Sequence, residues 1–307
     1  MRTRSIIGLA LAAAGLPTPA SRAADVATAA YAPTTTVRYG PAAEQHVDLF
    51  LPKGPGPFPV MVFLHGGCWR ASSAAASAYW PALAAFAARG VAVWSVAYRR
   101  VDEPGGAYPG MFADVAAGTD RLASDATRYN LDLTRLIYAG HSAGGHLALW
   151  DAGRARLPSA SPLAGASPLH PRAVVNLAGP GVVSAHPQDM DKVCGAGTAA
   201  GLLGVPTAAR PDIFTDTVPA RLLPLGVRTV QFTGSADDTV PSAAVIAYDR
   251  LAAKAGEAIE THVESGASHN ALVDPRTRAF ADVAATVGAL LGAPAAAAAA
   301  AGQPNTP

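Results

Sequence analysis

Residues 135–154 read RLIYAGHSAGGHLALWDAGR. Residues 135–139, which are apolar after Arg135, are predicted to form a strand. Residues 147–154 have helical composition and continue a helix that must begin at Ser142. Gly140 and Gly144 flank Ser142 where the strand turns sharply into the helix, which keeps the hydroxyl clear of the backbone. The helix N-terminus behind Ser142 favours negative charge that develops there. This stretch therefore predicts a serine nucleophile at the carboxyl end of a strand.

Strands and helices alternate on both sides of this turn. Strands are predicted at 35–39, 46–51, 60–64, 91–97, 135–139, 173–177, 227–233 and 259–264. Helices are predicted at 74–89, 111–129, 142–154, 243–255 and 277–291. Strands separated by helices of this length imply a mostly parallel central sheet with helices on both faces. The predicted fold class is therefore α/β, with one catalytic domain over residues 35–292.

One connection, residues 179–226 after the sixth predicted strand, is too long for a simple crossover. It contains several glycines and prolines together with Cys194. An insertion at the carboxyl end of a strand lies over the ligand crevice of an α/β sheet, so we expect a lid or pocket wall. A surface insertion without a role in binding is the alternative.

The N-terminus has the order of features found in a secretory signal peptide. Basic residues 1–4 precede the apolar stretch 6–16, and Ser21-Arg22-Ala23 offers the small-x-small pattern of a cleavage site. The apolar stretch is too short for a permanent membrane anchor, so the protein is expected to be secreted or periplasmic after cleavage near Ala23. A buried N-terminal helix is the alternative. Residues 24–34 are predicted to be a flexible segment and residues 293–307 a disordered Ala/Pro tail.

Export makes the two cysteines, Cys68 and Cys194, a candidate disulfide. Two buried free thiols are the alternative, since cysteine packs well as a small apolar residue. Because of the length of the loop between them, a disulfide could stabilise the fold by about 4 kcal/mol.

Composition argues against several classes of protein. The net charge is only +1 and the 23 basic residues are scattered along the chain, whereas a nucleic-acid-binding protein has a basic stripe. The sequence has no HExxH, no CxxC and no close histidine pair, so neither a metal nor another cofactor is expected.

A glycine-rich loop follows the predicted strand 60–64. It reads His65-Gly66-Gly67-Cys68-Trp69, and such a loop can turn backbone amides toward a substrate oxygen. The expected donors are the amides of Gly67 and Cys68, together with the amide of Ala143 directly after Ser142. A plain Gly-Gly turn is the alternative.

A general base and an acid are expected later in the chain than the nucleophile. Asp237 and Asp238 follow the predicted strand 227–233, and His269 follows the strand 259–264. Both turns therefore lie at the same edge of the sheet as Ser142, where His269 can take its proton and an aspartate can orient the imidazole. Asp237 is preferred, and Asp238 is its rival.

The other histidines are weaker candidates for the base. His141 lies inside the turn and is expected to point away from Ser142, whereas His146 is expected to pack beneath it. His262 lies in the middle of a strand, and His170 and His186 lie in Pro-rich loops and are expected to be solvated.

Five motifs together resemble the α/β-hydrolase superfamily: HGGCW from His65, YRR from Tyr98, GHSAGGHLAL from Gly140, GSADDTVP from Gly234 and GASHN from Gly266. Within the superfamily they are similar to the esterase, kynurenine-formamidase and prolyl-oligopeptidase-like hydrolases. The resemblance implies an α/β-hydrolase fold and a triad of Ser142, Asp237 and His269, as the residues themselves do. Cys68 is a departure, because relatives of hormone-sensitive lipase have a third glycine there.

The resemblance and the motifs together predict a carboxylesterase-like serine hydrolase whose partner is a small-molecule ester. An arylformamidase or a peptidase or amidase could use the same triad. A non-catalytic binding protein with this fold is a remote alternative, because such proteins usually lose a member of the triad.

Overall fold

The computed structural model describes residues 30–165, 169–183 and 188–293. The predicted signal peptide (1–23), residues 24–29 of the predicted flexible segment and residues 294–307 of the predicted tail lie outside the described residues.

The described residues form one eight-stranded sheet in the order β1-β2-β4-β3-β5-β6-β7-β8. Strand β2 pairs antiparallel with β1 and β4, and every other neighbouring pair in this sheet is parallel. The strands are β1 (Thr35–Arg38), β2 (His46–Phe50), β3 (Phe58–Leu64), β4 (Ala92–Val96), β5 (Leu131–His141), β6 (Ala173–Leu177), β7 (Arg228–Gly234) and β8 (Ile259–Glu264).

Helices cover both faces of the sheet because its central strands are apolar on both sides. In β3, Val60, Val62 and Leu64 face one apolar core, and Met61 and Phe63 face the other. The helices are α1 (Trp80–Ala87), α2 (Gly110–Asp125), α3 (Ala143–Ala152), α4 (Gln188–Cys194), α5 (Thr198–Leu203), α6 (Ser242–Lys254) and α7 (Arg278–Leu291). Side chains of α2 and α3 belong to the first core, and those of α1 and α7 belong to the second. The predicted three-layer α/β arrangement is confirmed.

One predicted helix differs clearly from the structure. The sequence predicts a helix over 74–89, but the structure has a short 3₁₀ turn, Ala76–Tyr79, followed by α1 from Trp80. Pro81 stands in the first turn of α1. Proline has no N–H to donate to the carbonyl four residues earlier, so an α-helix running through this position from residue 74 would lose that bond.

The insertion begins after the sixth strand, as predicted. It contains α4, α5 and a 3₁₀ turn at Pro219–Arg221.

None of the helices formed by the described residues has the length and apolar character needed to cross a membrane.

Candidate active site

Ser142 lies on a strained turn between β5 and α3. Its φ of 55° and ψ of −121° place it in a backbone conformation that L-residues rarely adopt. Its amide donates to the carbonyl of Leu177 in β6 at 2.8 Å, which fixes the turn against the sheet. A Cβ at Gly144 would lie 2.0 Å from the Leu64 carbonyl oxygen, and one at Gly140 would lie 2.1 Å from the Gly144 carbonyl oxygen. The two glycines are therefore required by the close approach of β3, β5 and α3.

The glycine-rich loop has an unusual backbone conformation. Gly67, Cys68 and Trp69 all have positive φ values, at 114°, 53° and 56°. This conformation costs about 1–2 kcal/mol for each residue that is not glycine. Among the described residues, no backbone carbonyl accepts a hydrogen bond from the amide of Gly67 or of Cys68. The strained loop thus leaves two donors available, as an oxyanion hole requires.

Buried aromatic rings hold the start of this loop. The His65 ring stacks on Tyr98 with centroids 4.4 Å apart, and the Tyr98 hydroxyl donates to the His65 carbonyl at 2.6 Å. His65 Nδ1 donates to the carbonyl of Gly66 at 2.8 Å. Burial lowers the pKa of His65 to about 4, so the ring is neutral at physiological pH. His65 is therefore an anchor for the loop and not a base.

Gly66 has no room for a side chain. A Cβ there would lie 2.4 Å from the Tyr79 hydroxyl, 2.8 Å from the His141 carbonyl oxygen and 3.1 Å from Ser142 Cβ. The close contact brings the glycine-rich loop against the serine turn.

His269 and Asp237 are in direct contact. His269 Nδ1 donates to Asp237 Oδ2 at 2.7 Å, and the Asp237 side chain is fully buried. The second oxygen, Asp237 Oδ1, accepts from the amides of Thr239 and Val240 at 2.9 and 2.8 Å. With its proton on Nδ1, neutral His269 has an unprotonated Nε2 that can act as a base. Asp238 is exposed and contacts Thr239, so the structure brings together Asp237, and not its rival, with the imidazole.

His141 connects the serine turn to the backbone of His269. Its Nε2 lies 3.0 Å from the His269 carbonyl oxygen, and its Nδ1 lies 2.9 Å from the Tyr79 hydroxyl. Burial lowers the pKa of His141 to about 3, so the ring is neutral. A carbonyl can only accept, so Nε2 donates to it and Tyr79 donates to Nδ1. The His141 side chain thus makes its hydrogen bonds with Tyr79 and with the backbone of His269, and it helps to hold His269.

Among the described residues, Ser142 Oγ makes no hydrogen bond to His269 Nε2. Catalytic hydrogen bonds are often long without substrate and shorten in the reacting complex. The backbone link through His141 already fixes His269 next to the serine turn, since the rings of His141 and His269 lie 4.5 Å apart.

An apolar cavity of about 200 Å³ opens beside Ser142. Its walls come from the glycine-rich loop, from the insertion and from the turn after β7, and include Cys68, Trp69, Met190, Cys194, Val240 and Pro241. Cys68 and Cys194 are joined by a disulfide, so the two free thiols of the alternative interpretation are not present. The insertion therefore contributes to the wall of a pocket beside Ser142.

Other histidines among the described residues have other partners. His146 is fully buried under the turn, with Nε2 2.9 Å from the Thr217 carbonyl oxygen, and burial lowers its pKa to about 4. His262 in β8 pairs with Glu260 at 3.0 Å, and His170 is exposed. His186 lies outside the described residues. In the described part of the chain, no three His, Cys, Asp or Glu side chains gather as metal ligands would.

Sequence reasoning missed Tyr79, Met190 and Val240, which contact the site from distant elements. Tyr79 belongs to the 3₁₀ turn before α1, and Met190 and Val240 line the cavity. Only the apolar character of Val240 and Pro241, directly after Asp237-Asp238-Thr239, hinted at a pocket wall.

The fold and the contacts at this sheet edge define the class of protein, an α/β-hydrolase. The chain belongs to the BD-FAE family, whose profile matches residues 47–249. The predicted membership of the α/β-hydrolase superfamily is thereby confirmed.

Solved structures with this fold include esterases. The chain is similar to a truncated carbohydrate esterase from gut microbiota, with a TM-score of 0.67 at 20% identity over 85% of this chain and 99% of that chain. It is also similar to butyrate-bound esterase 2 of Thermogutta terrifontis, with a TM-score of 0.66 at 21% identity over 84% of this chain and 93% of that chain. At these identities the likeness establishes the fold alone.

A sequence relative is a probable isoprenylcysteine alpha-carbonyl methylesterase of Arabidopsis thaliana. The two are 31% identical over 116 residues, which is 37% of this chain. The match spans only 23% of the length of that relative.

Proposed function

We propose that this protein is an exported carboxylesterase that works through an acyl-enzyme on Ser142, with His269 as general base and Asp237 as its orienting acid. The observation that carries the proposal is the buried contact of 2.7 Å between His269 Nδ1 and Asp237 Oδ2. It fixes the tautomer whose free Nε2 can accept a proton, on an imidazole that His141 links to the serine turn.

In the first step Ser142 Oγ attacks the ester carbonyl while His269 Nε2 accepts the hydroxyl proton. The carbonyl oxygen becomes an oxyanion, and the amides of Gly67, Cys68 and Ala143 donate to it. The positive end of α3 adds to this stabilisation. The C–O bond to the alcohol then breaks, and His269 gives its proton to the leaving oxygen.

In the second step water attacks the acyl-serine, and His269 Nε2 accepts its proton. A second oxyanion forms on the same amides and collapses, which releases the acid and returns the proton to Ser142. Asp237 stays ionised throughout and stabilises the imidazolium of each step.

Export is the second part of the proposal. The N-terminal sequence has the features of a signal peptide, and the disulfide between Cys68 and Cys194 is of a kind that persists in oxidising compartments. We expect a mature protein that begins near Ala24 in the periplasm or the medium. Mass spectrometry of the secreted protein tests this, and an intact Met1 in that fraction would refute export by cleavage.

Labelling with a fluorophosphonate tests the nucleophile. Esterase 2 of Thermogutta terrifontis is phosphonylated by sarin, so a probe of this chemistry suits the fold. We expect one adduct on Ser142 in the wild type and none in Ser142→Ala. A comparison of p-nitrophenyl esters, N-formyl aryl amines and peptide anilides then separates esterase from arylformamidase and from peptidase. Fast formamide cleavage with negligible ester turnover would overturn the esterase proposal.

A further inference from the structure

The apolar cavity beside Ser142 is placed to hold one particular half of an ester. Under the proposed mechanism the leaving alcohol must face His269, because that imidazole gives it a proton. The cavity is lined by Ser142 and by Cys68 of the glycine-rich loop, whereas His269 is not among the described residues that line it. A group seated in the cavity is therefore on the acyl side of the carbonyl carbon.

The chemistry of the cavity wall selects an uncharged acyl group. Val182, Val183, Met190, Val240 and Pro241 all present apolar atoms to it. A carboxylate buried against such a surface has no partner, and its desolvation opposes binding. Each methylene group that enters the cavity instead strengthens binding by a factor of about four.

The size of the cavity limits the length of that group. An apolar cavity of about 150 Å³ holds benzene, so one of about 200 Å³ has room for roughly eight carbon atoms. Short alkyl chains and single rings are held within the cavity, whereas a long fatty acyl chain extends beyond it into solvent.

The Cys68–Cys194 disulfide helps to limit the length of the cavity. Both half-cystines line the cavity, one from the glycine-rich loop and one from the end of α4 in the insertion. Arg70 adds hydrogen bonds from the same loop to the Ala196 carbonyl oxygen at 3.0 Å and to Thr198 Oγ1 at 3.3 Å. The disulfide therefore fixes a part of the cavity wall that the hydrogen bonds of Arg70 also hold in place. When the disulfide is removed, these hydrogen bonds still connect the loop to the insertion.

We propose that this cavity is the acyl pocket of the enzyme and that the Cys68–Cys194 disulfide sets its length, which makes the enzyme selective for esters of short, uncharged acids. The inference rests on the proposed ester hydrolysis. The disulfide is thus a determinant of specificity as well as a stabilising cross-link.

The test begins with kcat/KM for p-nitrophenyl acetate, butyrate, hexanoate, octanoate, dodecanoate and hemisuccinate. For the wild type we expect about a 15-fold rise from acetate to butyrate, because two methylenes enter the pocket. The maximum should lie between butyrate and octanoate, with dodecanoate at least tenfold below it. Hemisuccinate, which carries a carboxylate, should be at least a hundredfold poorer than butyrate.

Two variants alter the pocket in opposite directions. Cys194→Ala removes the disulfide but leaves the backbone amide of Cys68 in place, and the ratio of hexanoate to dodecanoate turnover should fall at least fivefold. Ala244→Leu adds a larger side chain to the pocket wall from α6, and the 15-fold advantage of butyrate over acetate should fall below threefold. Val205→Ala is the matched control, because Val205 lies in the same insertion, 67% exposed and outside the pocket wall, so its ratios should equal those of the wild type.

Thiol titration in denaturant verifies the bond, with no thiol in the wild type and one in Cys194→Ala. If the wild type prefers dodecanoate, or if both variants keep the wild-type ratios, the acyl-pocket inference is overturned while ester hydrolysis stands. Should Cys194→Ala not fold, the butyrate-to-acetate ratio of Ala244→Leu decides alone. Absence of turnover on every ester, with formamides or anilides cleaved, would refute the proposed function instead.

Discussion

Replacing Asp237 by asparagine should stop catalysis while leaving the fold intact, because the surrounding hydrogen bonds dictate how the amide must sit. Asp237 Oδ1 accepts from the amides of Thr239 and Val240, and Oδ2 accepts from His269 Nδ1. An asparagine can offer its oxygen either to the two amides or to the imidazole. If the NH₂ group faced the two amides, both backbone N–H donors would lack an acceptor, which costs about 1–3 kcal/mol for each. The hydrogen bond from His269 Nδ1 that this orientation keeps is worth only about 1 kcal/mol.

The asparagine oxygen therefore stays on the two amides, and its NH₂ faces His269 Nδ1. The imidazole must then accept at Nδ1 and carry its proton on Nε2, which is the wrong tautomer for taking a proton from Ser142. For such a replacement we expect kcat to fall by about 10⁴, equivalent to about 5.5 kcal/mol of transition-state stabilisation.

The assay is steady-state hydrolysis of p-nitrophenyl butyrate, with circular dichroism and urea unfolding to show that Asp237→Asn is folded. Asp238→Asn is the matched control, since Asp238 is exposed and removed from the imidazole, and it should stay within threefold of the wild type. The reasoning is refuted if Asp237→Asn retains more than a tenth of wild-type kcat, or if Asp238→Asn loses as much activity.

Three further predictions concern the loop, the buried histidines and α7. Gly66→Ala should lower kcat at least a hundredfold, because its Cβ would lie 2.4 Å from the Tyr79 hydroxyl and displace the oxyanion donors. Gly165→Ala is the control, because its Cβ meets no atom within 4 Å, and it should keep the wild-type rate. Equal losses of kcat in the two variants would contradict this prediction. Acid should destabilise the fold between pH 6.5 and 4, because the unfolded chain protonates three histidines that burial keeps neutral (His65, His141 and His146). The free energy of unfolding is full above pH 6.5 and falls as the pH is lowered. Burial raises the pKa of Asp151 to about 6, so the folded protein binds one proton there, which offsets one of the three that the unfolded chain binds on its histidines. The remaining difference gives the free energy of unfolding a slope of up to about 3 kcal/mol per pH unit. Urea titrations at pH 8, 6 and 5 measure it, and a constant free energy of unfolding would exclude this effect. Gly288→Ala, in the interior of α7 and with no neighbour within 4 Å of the new Cβ, should stabilise the protein by about 1 kcal/mol and raise Tm by about 2–4 °C; an unchanged Tm would count against it.

The sequence alone predicted the order of strands and helices and the edge of the sheet at which the site forms. These follow from local patterns, since a continuous apolar run such as 60–64 favours a strand buried on both faces. The motif around Ser142 and the turns at Asp237 and His269 each follow a strand, so parallel pairing brings them to one edge. The extent of α1 was less predictable, because Pro81 limits the first turn of a segment with helical composition throughout.

Tertiary structure alone decided which groups touch. Asp237 and Asp238 are neighbours in one turn, so the sequence supports only a preference for Asp237. The path of the turn buries Asp237 against His269 and exposes Asp238. Tyr79 reaches His141 across 62 residues of chain, and the disulfide joins Cys68 to Cys194 across 126. Periodicity and spacing describe neighbours along the chain, whereas these contacts depend on how loops pack over the sheet. For that reason Ser142 could be proposed from the residues around it, and the insertion could be expected at a pocket wall, but the side chains that line the pocket could not be predicted.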